Sequence, residues 1–166
     1  MKRPYNRGFS LAEILVAAGI LAFALCAILA MCSTCFVLMA TSKNVNIATN
    51  AAEGLMEEIR TTPFTQLSDP VGSGLQINSN SFRQIGGNLY SCNFALDVIP
   101  ASMVVVYING TNPEFLEVTI SVCWKQGNRI IGEDTNLNGV LDPGEDLNNN
   151  GIIDSPVELV TRIADR

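Results

Sequence analysis

Between Ile14 and Ser42 the chain runs for 29 residues without a single Asp, Glu, Lys or Arg. As a helix rising ~1.5 Å per residue, the apolar part of this run exceeds a bilayer core of ~30 Å. The run therefore predicts a membrane-spanning helix. Lys2, Arg3 and Arg7 precede it, and few basic residues follow closely, which places the N-terminal side in the cytoplasm. One charge breaks the pattern. Glu13 stands at the edge of the apolar run, where a carboxylate costs a few kcal/mol on insertion scales, so a role and a partner are expected for it.

The helical signal continues past the membrane. Val45, Ala48, Ala52, Leu55 and Ile59 recur at helical spacing, while Glu53, Glu57, Glu58 and Arg60 lie mostly off that stripe. Thr62-Pro63 ends the pattern, because the residue before a proline avoids the helical region. The expectation is one helix from Phe9 to Arg60, 52 residues and about 78 Å long. Its first part (9–42) would lie in lipid and its continuation (43–62) would turn an apolar stripe toward a folded domain (63–166).

That domain is long enough for a small core of its own. The chain carries a net charge of −6; with Lys2, Arg3 and Arg7 set aside, the rest carries −9. This acidity argues against a nucleic-acid surface. There is no histidine, which removes the commonest general base and metal ligand. With no nucleophile motif either, the sequence offers no catalytic constellation. Pro63 to Gly87 reads as a loop. Strand patterns follow at Leu89–Ile99, Met103–Ile108, Glu114–Trp124, Arg129–Ile131 and Val157–Ile163, with Leu116, Val118, Ile120 and Val122 sharing one face. Gln126-Gly127-Asn128 marks a hairpin turn, and Trp124 reads as core. The fold class expected is α+β, with the long helix packed on an antiparallel sheet of about four strands. Cys92 and Cys123 fall in these strands and in an exported domain would form a disulfide; two buried thiols are the alternative. Cys32-x-x-Cys35 has redox spacing but sits in the apolar helix, where small packing residues are the simpler reading.

Residues 133–155 differ in character. They repeat with a period of twelve, matching Asp134 with Asp146, Asn136 with Asn148, Asn138 with Asn150, Gly139 with Gly151 and Asp142 with Asp154. The first repeat fits an EF-hand-type loop. Alternate residues direct oxygens at one point, as calcium requires. Asp134, Asn136, Asn138, the carbonyl of Val140, Asp142 and a bidentate Glu145 form the candidate set. The second loop offers Asp146, Asn148, Asn150, the carbonyl of Ile152 and Asp154, but its twelfth residue is Val157, so its last ligand must come from Glu158 or elsewhere. Leu141 and Ile153 hold equivalent positions and should pack together. Pro143 and Pro156 argue against flanking helices, so the insertion resembles tandem calcium repeats of the thrombospondin type 3 kind. A merely flexible acidic loop is the alternative; mutual repulsion of its carboxylates counts against it.

The junction Arg7-Gly8-Phe9-Ser10-Leu11-Ala12-Glu13-Ile14-Leu15-Val16-Ala17 resembles the class III signal of type IV pilin-like proteins. The resemblance implies cleavage after Gly8 by a prepilin peptidase and methylation of the new terminal amine of Phe9. Glu13 would then pair with the Phe9 amine of a neighbouring subunit, removing two unpaired charges from lipid. An ordinary signal peptide cleaved near Ala22-Phe23-Ala24 would need neither Glu13 nor the apolar residues beyond that point. A lipoprotein signal at Cys26 would have Phe23 and Leu25 where small residues are wanted. Leu55-Met56-Glu57-Glu58-Ile59-Arg60, Val118 to Trp124 and Val157 to Thr161 resemble minor pilins and minor pseudopilins more loosely. The membrane segment has no proline, which also points to a minor subunit.

The resemblance implies a structural subunit of a type IV pilus or type II secretion filament. Its location would be the inner membrane, with its C-terminal domain in the periplasm or on an extracellular filament after assembly. Its partners would be other pilin or pseudopilin subunits, the peptidase and membrane lipid; its ion would be calcium. A membrane-anchored, calcium-dependent binding or adhesion module is the competing expectation.

Overall fold

The computed structural model describes residues 10–112 and 114–165. Gly8 and Phe9 lie outside them. The chain divides into two compact units, the first ending at Ser42 and the second beginning at Lys43.

Helix α1 spans Leu11–Thr61. No proline interrupts it, and its end is set as the sequence indicates. The hydroxyls of Thr61 and Thr62 donate to the Glu58 carbonyl at 2.8 and 3.1 Å, satisfying an acceptor left free where the helix stops before Pro63. Within the first unit every residue from Ser10 to Ala40 is exposed, including Leu11, Phe23, Met31 and Phe36. This helix is long and apolar enough to cross a membrane. Within the second unit the same helix buries Ala48, Ala52, Met56 and Ile59, with Val45 and Leu55 half-buried beside them. Met56 completes the stripe at helical spacing from Ala52 and Ile59.

The main sheet has six strands rather than about four. Its strands are β3 (Arg83–Gly86), β4 (Leu89–Phe94), β5 (Ser102–Asn109), β6 (Phe115–Gln126), β7 (Arg129–Ile131) and β8 (Glu158–Ala164). They are ordered β3-β4-β5-β6-β7, with β8 also paired to β6, all antiparallel. On the side away from β5, the first part of β6 pairs with β8 and the last with β7. Gly127, at φ 62°, supplies the left-handed turn of the β6–β7 hairpin. The stretch read as a loop, Pro63 to Gly87, holds α2 (Phe64–Ser68) and strand β3, and between them the hairpin β1 (Gln76–Ile77) and β2 (Asn80–Ser81). Leu67, Ile77 and Phe82 are buried there. These elements are too short to leave a periodic pattern, and the Asn78-Ser79 turn achieves two positive φ angles without glycine.

Each face of the sheet is covered differently. Val104, Val106, Ile108, Leu116, Val118, Ile120, Val122 and Trp124 join the helical stripe in the larger core. The opposite face presents Val105, Tyr107 and Cys123, packed with Ile153, Leu137, Leu141 and Ile152 from the insertion. Leu141 and Ile153 thus share one cluster as their equivalence predicts. No helix or strand forms between β7 and β8.

The expected Cys92–Cys123 disulfide is not formed; both thiols are free and buried. Cys92 pairs across the ladder with Val106, and Val106 with Ile120. Cys123 lies three residues beyond Ile120, an odd step that puts it on the other face, with β5 intervening. Cys92 instead donates to the Asn80 carbonyl at 3.3 Å. Cys26, Cys32 and Cys35 are free and exposed on α1.

Candidate functional site

Two places carry the sequence-derived candidates. The first is the start of α1. Ser10 and Glu13 form a reciprocal cap: the Ser10 amide donates to Glu13 Oε2 at 3.0 Å, and the Glu13 amide to Ser10 Oγ at 3.2 Å. This is the capping box that Ser-x-x-Glu encodes. The Ser10-x-x-Glu13 spacing carries this signal in the sequence itself, beside the isolated charge that points to a more distant partner. A carboxylate in the first turn also faces the positive end of the helix dipole. Glu13 therefore has a local structural role. Gly8 and Phe9 cannot be set beside it, since they lie outside the described residues.

The second place is the insertion, where the twelve-residue repeat of the sequence becomes a repeat of geometry. In the first loop Asp134 accepts from the amides of Asn138 at 3.1 Å and Gly139 at 2.7 Å. In the second, Asp146 accepts from Asn150 and Gly151, each at 3.0 Å. Asn136 and Asn148 each cap the amide two residues on at 3.0 Å; Asn138 and Asn150 do the same for Val140 and Ile152 at 2.7 and 2.9 Å. The asparagines at positions three and five of each loop donate to its ninth residue: Asn136 and Asn138 to Asp142, and Asn148 and Asn150 to Asp154. The left-handed turns recur too, at Leu137 and Gly139 and again at Leu137's and Gly139's counterparts, Asn149 and Gly151. The candidate side chains at positions three, five and nine, three of five in the first loop and three of four in the second, are thereby brought together. Among the described residues no three Asp, Glu or Cys side chains converge as a metal set. What meets in each loop is one carboxylate and the side-chain amide NH2 groups that donate to it, while the oxygens of the same amides accept from the main chain.

Burial separates the two loops. Asp134 is 0% and Glu145 5% exposed, whereas Asp146 and Leu147 are respectively half-buried and open to solvent. The first loop is tied to the sheet by Arg83, which donates to the Gly139 carbonyl at 3.0 Å, and by Asn93, which donates to the Asn138 carbonyl at 2.8 Å. Asn93 occupies the space that a side chain at Gly139 would need. Glu145 accepts from the amide and hydroxyl of Thr135 at 2.7 and 2.6 Å and from the Asp142 amide at 3.0 Å. Burial pushes its carboxyl up, but these bonds outweigh it and hold the group below its ordinary range.

Beneath the insertion, the Ile153 amide donates to the Tyr107 hydroxyl at 2.9 Å. Burial, foremost, raises Tyr107 to about 12 and Cys123 to about 11. Glu158, on β8, is pushed up by burial, then by the charge and carboxyl of neighbouring Asp154, and by Glu133. Across the ladder from Glu158, Ser121 is fully buried, and its hydroxyl has no partner among the described residues.

Comparison with protein-family models, curated proteins and solved structures finds no match. The long N-terminal apolar helix and the antiparallel sheet behind it are compatible with a pilin-like fold.

Proposed function

We propose that this chain is a membrane-anchored, pilin-like filament subunit, of the minor pilin or minor pseudopilin kind, whose exported domain is clasped by calcium. The observation that carries the reading is helix α1. One uninterrupted helix is apolar and uncovered from Leu11 to Ala40, then buries its stripe in the core of the following domain. A helix of that design stores a subunit in lipid and presents the same surface to its neighbours during assembly. The Gly8-Phe9 junction supports peptidase cleavage and methylation of Phe9. Pairing of Glu13 with a neighbour's Phe9 amine would then exchange a cap within the chain for a charge-assisted contact between chains. Prepilin peptidase, sister subunits and inner-membrane lipid are the partners on this reading.

Calcium fits the insertion by the chemistry of its donors. Every candidate from Asp134 to Glu145 and from Asp146 to Asp154 offers oxygen, the hard ligand that calcium takes. The bound ion would offset the repulsion among these carboxylates and stiffen a segment that has no helix or strand of its own. Extracellular modules of this type bind at ~10⁻⁴–10⁻³ M, which suits a clasp that closes only after export.

Intact-mass spectrometry of the mature membrane protein tests the core of the proposal. The expected product begins at a methylated Phe9. An intact N-terminus, or cleavage near Ala24, would overturn it.

A further inference from the structure

The second loop lacks a twelfth carboxylate in its own sequence, yet one is present in the structure. Glu145 closes the first loop by a two-armed contact: Oε1 takes the amide of Thr135, the loop's second residue, and Oε2 the amide of Asp142, its ninth. Twelve residues on, the corresponding amides belong to Leu147 and Asp154. Both donate to Glu133, Leu147 to Oε1 at 3.2 Å and Asp154 to Oε2 at 3.1 Å. The main chain seals the same junction, with the Glu133 amide donating to the Asp154 carbonyl at 2.9 Å. Val157, the formal twelfth residue, has no side-chain oxygen and is buried in the helix-facing core. Glu133 and Glu145 hold the same position in the repeat. The glutamate just before each loop therefore closes the other loop.

We infer that Glu133 is the closing ligand of the second loop and that the two loops, by exchanging carboxylates, bind calcium as one coupled pair. The inference rests on the calcium reading given above and adds to it the identity of the missing ligand. Coupling follows from connectivity. Glu133 is bonded to Asp134, the first ligand of loop one, and Glu145 to Asp146, the first ligand of loop two. Ordering either loop fixes the carboxylate that the other requires, and such coupling is reciprocal between sites. The competing donor is Glu158, whose carboxyl meets that of Asp154 from the strand side.

Calcium titration of the full chain in detergent, by calorimetry, separates these possibilities. The unaltered chain is expected to take up two ions with positive cooperativity. Glu133→Gln should weaken the second ion by about tenfold or more, given that disturbing even the surroundings of a metal ligand costs about 10–100-fold, and should abolish the cooperativity. Glu158→Gln should leave both ions in place. Two ions bound unchanged by Glu133→Gln, or a second ion lost only in Glu158→Gln, would overturn the inference while leaving the calcium reading intact. No uptake by the unaltered chain would overturn both. Should Glu133→Gln fail to fold, Glu133→Asp keeps the charge but shortens its reach, and the same loss of the second ion is expected. Thiol labelling supplies a readout independent of the ion count. Cys123 lies against the Asp154 carbonyl, so Glu133→Gln should speed its modification while Cys92, on the other face, stays protected; equal protection of Cys123 in both chains would overturn the junction.

Discussion

The two faces of the central sheet are covered by opposite means. On one, an apolar helical stripe meets Val104, Val106, Ile120, Val122 and Trp124, and contact area does the work. On the other, a segment rich in Asp and Asn lies over Val105, Tyr107 and Cys123, holding itself in shape by side-chain-to-amide bonds. A cover of the first kind tolerates small shifts and depends on volume. A cover of the second kind depends on a few directed bonds and on special backbone angles.

Alkali should strike both faces together, and so have the largest effect. Burial raises Cys92 and Cys123 from 9.0 to about 11 and Tyr107 from 10.0 to about 12. The folded state thus holds these protons more tightly than the unfolded chain does. Their contribution is complete below pH 9 and is lost as pH rises toward 11 and 12. Thermal melting across that range checks this, and a flat profile would break it. Next, Trp124→Ala should cost about 3–5 kcal/mol by the cavity left in the helix-facing core, read from denaturant unfolding.

The insertion-facing side should respond to smaller changes. Gly139→Ala meets both a φ of 71° and the Asn93 side chain; a loss of about 1–3 kcal/mol is expected, with faster proteolysis of the insertion. Tyr107→Phe removes the acceptor of the buried Ile153 amide and should cost about 1–3 kcal/mol. If the helix-facing core alone set stability, neither would register. Ser121→Ala should have the smallest effect, no loss or a slight gain, because its buried hydroxyl has no partner to lose among the described residues.

Legibility in the sequence followed the length of the pattern. The 51-residue helix and strand β6 repeat their apolar spacing often enough to be read directly, and β5 is legible as an unbroken β-branched run. The hairpin at Gln76–Ser81 and strand β3 are too brief to do so. The Ser10–Glu13 cap is visible as a motif, yet a lone carboxylate at the edge of a long apolar run points to a partner farther away. In the insertion the ligand-type residues and their period of twelve were plain. The closing role of Glu133 was hidden, since it acts on a loop that begins thirteen positions later.

By itself the sequence determined what depends on spacing along the chain: a helix able to cross a membrane, the shared face of Leu116, Val118, Ile120 and Val122, and two loops of one design. Only the tertiary structure decided what depends on which strands become neighbours. The register of β4, β5 and β6 puts Cys92 and Cys123 on opposite faces and leaves them unbridged. The return of the chain into β8 brings Asp154 back to Glu133, so that a carboxylate absent from the second loop's own sequence is supplied across the fold.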